Sequence, residues 1–182
     1  MADVIAILEQ MRASSGHAET TGLTNDVILD FASRDNTLVQ AIEEAGIRQG
    51  EFSNELLMMA ENDLVSHLQE DFVNFYAPAT INPYVAVAAR GPWIVTSHGA
   101  VVHDNGGYGM LGGGHGPEEI IDAMSKNHVM ANVMTPSISQ ARLAAALKKE
   151  LGHTRGSCPF SKFICISRFR WRNKYCSRIL DL

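Results

Sequence analysis

The chain has 182 residues, of which 46% are hydrophobic and 19% are charged, so it is long enough for one ordinary domain and too apolar to be intrinsically disordered. No apolar run approaches the roughly 18–20 residues that a membrane span requires. Asp3 stands where a signal peptide carries positive charge. These observations argue against a membrane-spanning, secreted or disordered protein, and we expect a soluble, cytoplasmic one.

The charge is distributed unevenly along the chain. Residues 1–153 contain 8 Lys and Arg against 19 Asp and Glu, whereas residues 154–182 contain 7 against 1. All three cysteines also lie in the basic segment. Such an abrupt change of composition predicts a boundary in the organisation of the chain.

Residues 1–77 are predicted to form a helical N-terminal extension. Apolar residues recur at helical spacing in three stretches, residues 3–13, 25–48 and 53–76. The second stretch is expected to begin with Asn25 or Asp26 as its N-cap and to end at Gly46. This part of the sequence carries no pattern typical of a catalytic or binding site.

Residues 78–135 change in character, because β-rich runs and glycine replace the helical pattern. Residues 84–89 form a short apolar run, and two short strands that form a β-hairpin are expected at residues 93–96 and 101–104. A glycine-rich stretch follows at residues 106–116. Pro117 then begins a helix as its first residue. The apolar residues of this helix are expected to form a buried face, namely Ile120, Ile121, Ala123 and Met124.

Residues 136–182 open with another helical pattern. An alanine-rich helix is expected over residues 139–151, with Gly152 marking its end. An aberrant basic stretch then covers about residues 166–177.

Three further patterns could carry binding chemistry, and each has a more ordinary explanation. The glycine-rich stretch before a helix has the character of a phosphate cradle, but it matches neither GxxxxGK[ST] nor a GxGxxG after a long buried strand. The basic tail interleaves aromatic residues with arginine, but the acidic body would repel a nucleic acid. The histidines and cysteines match no zinc or disulfide spacing, and we expect no metal site among them: His98, His103, His115, His128, Cys158, Cys165 and Cys176.

Between about residues 80 and 165, the order of the motifs resembles a known family. A turn with Gly91 and a hairpin that ends in His103-Asp104 come before a segment that closes on Gly114-His115-Gly116-Pro117. Residues 139–144 (SQARLA) resemble the helix that precedes the cofactor loop of that family, and residues 160–165 (FSKFIC) suit the strand that leads into this loop. The family is that of the class III (ornithine, acetylornithine and 4-aminobutyrate type) pyridoxal-phosphate-dependent aminotransferases.

The resemblance implies a fold, an activity and a cofactor. The fold would be α/β, the N-terminal part of a fold type I PLP-dependent transferase, with a helical extension, a small β-hairpin region and, at residues 136–182, the start of the large mixed-sheet domain that binds the cofactor. The parent enzyme would be a homodimer that uses pyridoxal phosphate to transfer an amino group from an amino acid or ω-amino donor to a 2-oxo acid. Tyr108, Gly114 and His115 would border a substrate or dimer surface.

Two parts of the active site of the family have no counterpart in the sequence. The loop that holds the cofactor phosphate, N-S-G-[ST]-E-A in the family, would fall near four residues that do not match it, Ser167, Arg168, Phe169 and Arg170. The family's Schiff-base lysine and the acid that pairs with the pyridine nitrogen would lie beyond residue 182. We therefore expect an N-terminal fragment that has no catalytic residues of its own and is inactive alone.

Two hypotheses account for the basic stretch. In the first, the reading frame is shifted, because codons for an S-G-S-E-A-V-T-like loop read one base out can give S-R-F-R-W-R-N-K, and residues 178–182 resemble the family again. In the second, the chain is a genuine short protein, a non-catalytic interaction module whose acidic helices and basic tail bind a partner.

Overall fold

The computed structural model describes residues 3–73, 77, 80–105, 112–127 and 135–163. These residues form seven helices and three strands: α1 (Val4–Ala13), α2 (Asn25–Ala32), α3 (Asn36–Gln49), α4 (Asn54–Leu57), α5 (Glu61–Gln69), β1 (Ala86–Arg90), β2 (Trp93–Thr96), β3 (Val101–His103), α6 (Glu118–Ser125) and α7 (Ile138–Gly152). The chain divides into two compact units, Met1–Lys126 and Asn127–Leu182. The predicted mixed α/β class is confirmed, since helices accompany a small antiparallel sheet.

The sheet of the first unit has the strand order β1-β2-β3. Both pairs are antiparallel, and Trp93 of β2 lies opposite Arg90 on one side and His103 on the other. The turn at residues 97–100 closes the second hairpin with a hydrogen bond of 2.9 Å from the Thr96 N–H to the Ala100 carbonyl. The predicted hairpin is therefore present.

The core of the first unit lies between this sheet and helices α1, α2 and α3. Trp93 is only 2% exposed, and its ring lies 4.9 Å from Phe31 and 4.8 Å from His103, in tilted and edge-on arrangements. The Trp93 indole N–H donates a hydrogen bond of 2.7 Å to Asp35 Oδ2. This bond joins the beginning of α3 to β2.

Asp35 determines where α3 begins. Residues 25–48 were expected to form one helix, but the structure has two, and Asp35 is the N-cap of the second, accepting from the Thr37 N–H at 2.9 Å. Burial acts to raise the pKa of Asp35, but the hydrogen bonds from the Thr37 hydroxyl, the Trp93 indole and two backbone N–H groups outweigh it and lower this pKa below its ordinary value.

Two of the predicted boundaries in this region are also wrong. Thr24, and neither Asn25 nor Asp26, is the N-cap of α2. Gly46 lies inside α3, which ends with Gly50 as its C-cap. A Cβ at Gly46 would lie 2.7 Å from Ile7 Cγ2, so the glycine permits α1 and α3 to pack closely instead of ending the helix.

The third predicted helix, residues 53–76, is also divided, into α4 and α5. At the break, the Leu57 carbonyl accepts from the Gly16 N–H at 2.8 Å. The Met59 carbonyl lies 3.0 Å from His98 Nε2. Because these partners are distant in sequence, periodicity alone could not locate the break.

Helix α6 follows the prediction in place but not in burial. Pro117 is its N-cap and not its first helical residue. Its apolar side chains are exposed, Ile120 by 50%, Ile121 by 54% and Met124 by 77%. The predicted buried face is therefore wrong for this helix.

The second unit is described from residue 135 to residue 163. Ser137 and Gln140 form a capping box at the start of α7, and Gly152 is its last residue. Apolar side chains are exposed along α7 as well: Ile138, Leu143 and Leu151. Residues 160–163 do not form the predicted strand, and residues 164–165 lie outside the described residues.

No helix in the described ranges combines the length and the apolar character that a membrane crossing demands.

Candidate functional site

The candidate site lies where the segment at residues 112–117 meets the turn between β1 and β2. The Gly91 N–H donates to the His115 carbonyl at 2.8 Å, and the His115 N–H donates to the Gly91 carbonyl at 2.7 Å. This reciprocal pair is an antiparallel bridge. It fixes the beginning of α6 beside the sheet.

Gly114 allows the two segments to approach. Its φ of +75° is in the left-handed region that favours glycine. A Cβ at this position would lie 2.9 Å from both the Cα and the carbonyl oxygen of Gly91, closer than atoms of two packed residues come. Any larger residue would therefore strain the backbone and separate the bridge.

A second attachment runs through side chains. His115 Nε2 lies 2.9 Å from Asp104 Oδ2, and the two side chains are 23% and 22% exposed. Asp104 is itself held at the end of β3, because its N–H donates to the Pro92 carbonyl at 2.7 Å. Burial, followed by the negative charge of Asp104, raises the pKa of Tyr84 above its ordinary value. Tyr84, Asp104 and His115 thus form one electrostatic cluster.

Charged side chains tie the same region to α3. Glu44 accepts from Arg90 Nε at 2.9 Å and pairs with Arg48 at 2.7 Å, and Arg90 also lies 3.8 Å from Glu118 at the start of α6. Beside this network is a groove of about 370 Å³, lined by β1 together with Glu44, Arg48, Gly116 and Ile121. The network holds three elements together, and both oxygens of Glu44 are already engaged.

The hydrogen bonds of this site attach the segment at residues 112–117 to the sheet. His115 forms hydrogen bonds with Gly91 and Asp104, and each bond holds the glycine-rich segment against the sheet. A carboxylate that orients an imidazole is also a catalytic arrangement when the imidazole faces a nucleophile. Among the hydrogen bonds of the described residues, His115 has no hydroxyl or thiol partner. The described hydrogen bonds of His115 attach the segment at residues 112–117 to the sheet.

The structure brings together two of the predicted site residues and does not describe the others. Gly114 and His115 meet at the bridge with Gly91. Tyr108 lies outside the described residues, as do the four residues at the predicted position of the phosphate loop, Ser167, Arg168, Phe169 and Arg170. The sequence missed the pairing of His115 with Asp104, although both residues belong to the quoted motifs. A histidine and an aspartate in these motifs were the only signal in the sequence, because the pairing of His115 with Asp104 depends on the register of the hairpin.

Two other described histidines, His98 and His103, have separate structural roles. His98 is 1% exposed, and its two ring nitrogens lie 3.0 Å from Ser97 Oγ and from the Met59 carbonyl. His103 packs against Trp93. His128 lies outside the described ranges. Over the described part of the chain, no three His, Cys, Asp or Glu side chains are grouped so as to hold a metal ion.

The described lysines do not suit pyridoxal phosphate. A Schiff-base lysine requires a partly desolvated site in which its pKa can fall. Lys126 is 64% exposed and pairs with Asp122 at 2.7 Å, and the other three lysines of the described ranges are exposed: Lys148, Lys149 and Lys162. No step through the cofactor can therefore be assigned to these residues.

Comparison with known proteins gives no relative. No family model, no curated protein and no solved structure matches the chain.

Proposed function

We propose that this chain is the N-terminal part of a class III pyridoxal-phosphate-dependent aminotransferase. The parent enzyme transfers an amino group from an amino acid or ω-amino donor to a 2-oxo acid and acts as a homodimer with a fold type I architecture. The chain itself contributes structure, supplies no catalytic residue and is inactive alone. The cofactor would supply the amino-carrying chemistry in the parent enzyme.

The meeting of the quoted motifs carries this proposal. Gly91, Asp104 and the Gly114-His115-Gly116-Pro117 segment are separated by up to 26 positions in the sequence, yet backbone and side-chain hydrogen bonds join them at one place. The resemblance rests on the order of these motifs. Their convergence supports the view that they form one structural element and are not a chance series of glycines.

Exposed apolar surfaces give secondary support. In the first unit, Ile120, Ile121 and Met124 of α6 face solvent, and in the second unit Ile138 of α7 is 72% exposed. Among the described residues, β1 and β3 are the outer strands of the small sheet, and the Val101 carbonyl of β3 accepts from the Leu23 N–H at 2.8 Å. The N-terminal part of a larger enzyme would present such faces and edges to the rest of that enzyme.

Sequencing the coding DNA from codon 155 onward tests the proposal. We expect a corrected frame to encode an S-G-[ST]-E-A loop after residue 165 and to continue through a lysine-bearing large domain. A frame that stands as written, with no such loop, would contradict the proposal and favour the interaction module.

A biochemical comparison separates the fragment from its parent. The protein expressed from the corrected frame is expected to bind pyridoxal phosphate, seen as a visible absorbance band that borohydride reduction fixes covalently, and to aminate a 2-oxo acid. The 182-residue chain serves as the matched control and is expected to do neither. Turnover of an amino donor by the 182-residue chain would refute the assignment of an inactive fragment.

A further inference from the structure

Glu61 is a buried carboxylate with no role in the site described above. It is the first residue of α5 and is 0% exposed. Its N–H donates to the His17 carbonyl at 2.9 Å, and the Gly16 N–H donates to the Leu57 carbonyl at 2.8 Å. The segment at residues 16–20 therefore lies along α4 and the start of α5.

The two oxygens of Glu61 are used unequally. Oε2 accepts from the Glu19 N–H at 2.8 Å and from the Thr20 N–H at 2.7 Å. Glu61 Oε1 and Thr20 Oγ1 are both inaccessible to solvent, and neither has a hydrogen-bond partner among the residues that the structure describes. The two residues that carry these atoms, Glu61 and Thr20, are already joined by the hydrogen bond from the Thr20 N–H to Glu61 Oε2.

Two such atoms on linked residues point to a shared third group. A buried polar atom without a partner costs about 1–3 kcal/mol, and native proteins have few of them. An ionised carboxylate only accepts hydrogen bonds, whereas a threonine hydroxyl can donate or accept. A hydrogen-bonding group that bridges the two atoms would donate to Glu61 Oε1 of an ionised carboxylate, and it could form either type of bond with Thr20 Oγ1.

The number of available oxygen ligands distinguishes a bound cation from a bound water molecule. Hard cations such as Ca²⁺ and Mg²⁺ take about six or more oxygen ligands, whereas two buried side-chain oxygens are unpartnered in the described part of the chain. A buried water is held by about two to four polar partners. We propose that Glu61 and Thr20 bind one internal water molecule, which donates to Glu61 Oε1 and bridges to Thr20 Oγ1. This water attaches residues 16–20 to α5 and is independent of the proposed enzymatic function.

Thr20→Val tests the bridge, because valine has nearly the shape of threonine but no hydroxyl. Thr21→Val is the matched control, since Thr21 is its exposed neighbour. In a high-resolution crystal structure of the full chain we expect an isolated solvent peak about 2.6–3.2 Å from both atoms in the wild type and in Thr21→Val, and its loss in Thr20→Val. In solution, a water cross-peak to the Thr20 N–H should show the same pattern by NMR.

Two results would overturn the proposal. One is a structure in which Thr20 Oγ1 bonds directly to Glu61 Oε1 with no solvent peak between them. The other is a melting temperature that rises with CaCl₂, NaCl or KCl but not with choline chloride at equal ionic strength, and that loses this dependence in Glu61→Gln, because a cation would then occupy the site.

Discussion

Asp35 allows the sharpest test of how the first unit is assembled, because one carboxylate performs two tasks. Oδ1 accepts from the Thr37 N–H and caps α3, while Oδ2 accepts from the Trp93 indole. Loss of an N-cap side chain costs about 1 kcal/mol. A buried indole N–H left without a partner costs about 1–3 kcal/mol more. We expect Asp35→Ala to lower the free energy of unfolding by about 2–4 kcal/mol.

Urea unfolding followed by circular dichroism measures this change, and a double-mutant cycle separates the two tasks. In a Trp93→Phe background no indole N–H remains, so Asp35→Ala should cost only the cap, about 1 kcal/mol. Asp30→Ala is the control, since Asp30 forms an exposed ion pair with Arg34 that contributes about 0–1 kcal/mol. An equal cost of Asp35→Ala in both backgrounds would refute the coupling of α3 to β2 through this carboxylate.

Three further predictions use the same unfolding assay. The pKa of Asp35 is lowered in the folded chain. The wild type should therefore have a larger free energy of unfolding than Asp35→Asn above the unfolded pKa of about 3.9, and this difference should disappear as the pH falls through the folded pKa. A difference that grows on acidification would contradict this. Gly114→Ala should destabilise the chain by at least about 1–2 kcal/mol through its left-handed φ alone, whereas Gly112→Ala, with nothing within 4 Å of its Cβ, should be nearly neutral, and equal effects would remove the argument for the close approach. Gln49→Leu should cost about 2–4 kcal/mol, because buried Gln49 Nε2 donates to the Met11 and Ser97 carbonyls, while exposed Gln10→Leu should change stability by less than about 0.5 kcal/mol.

The sequence predicted elements whose signals are local. Helix α1 begins after Asp3, whose carboxylate accepts from the Ile5 and Ala6 N–H groups, and α7 begins with a capping box. The β2 and β3 hairpin follows from β-rich runs around a glycine turn. Each of these signals acts within a few residues, so composition and spacing reveal it.

The sequence failed where a distant contact decides the structure. At the break before α3, the cap residue Asp35 also accepts a hydrogen bond from Trp93, which lies 58 positions away. Gly46 was predicted to end a helix, because the sequence does not show that this position packs closely against Ile7. The pairing of Asp104 with His115 similarly requires the hairpin register and the Gly91 bridge to exist first.

The wrong prediction that bears on function is the burial of the apolar face of α6, which is exposed. Its apolar spacing predicts burial, and the prediction would hold if another surface lay against Ile120, Ile121 and Met124. Within the first unit, the Gly91 bridge and the Arg90–Glu118 contact fix the start of α6 beside the sheet, yet the helix turns its apolar side to solvent. Sequence pattern and structure would agree if α6 were a docking element of a larger protein. The proposed aminotransferase would supply such a protein, since the start of its large domain would come directly after this region.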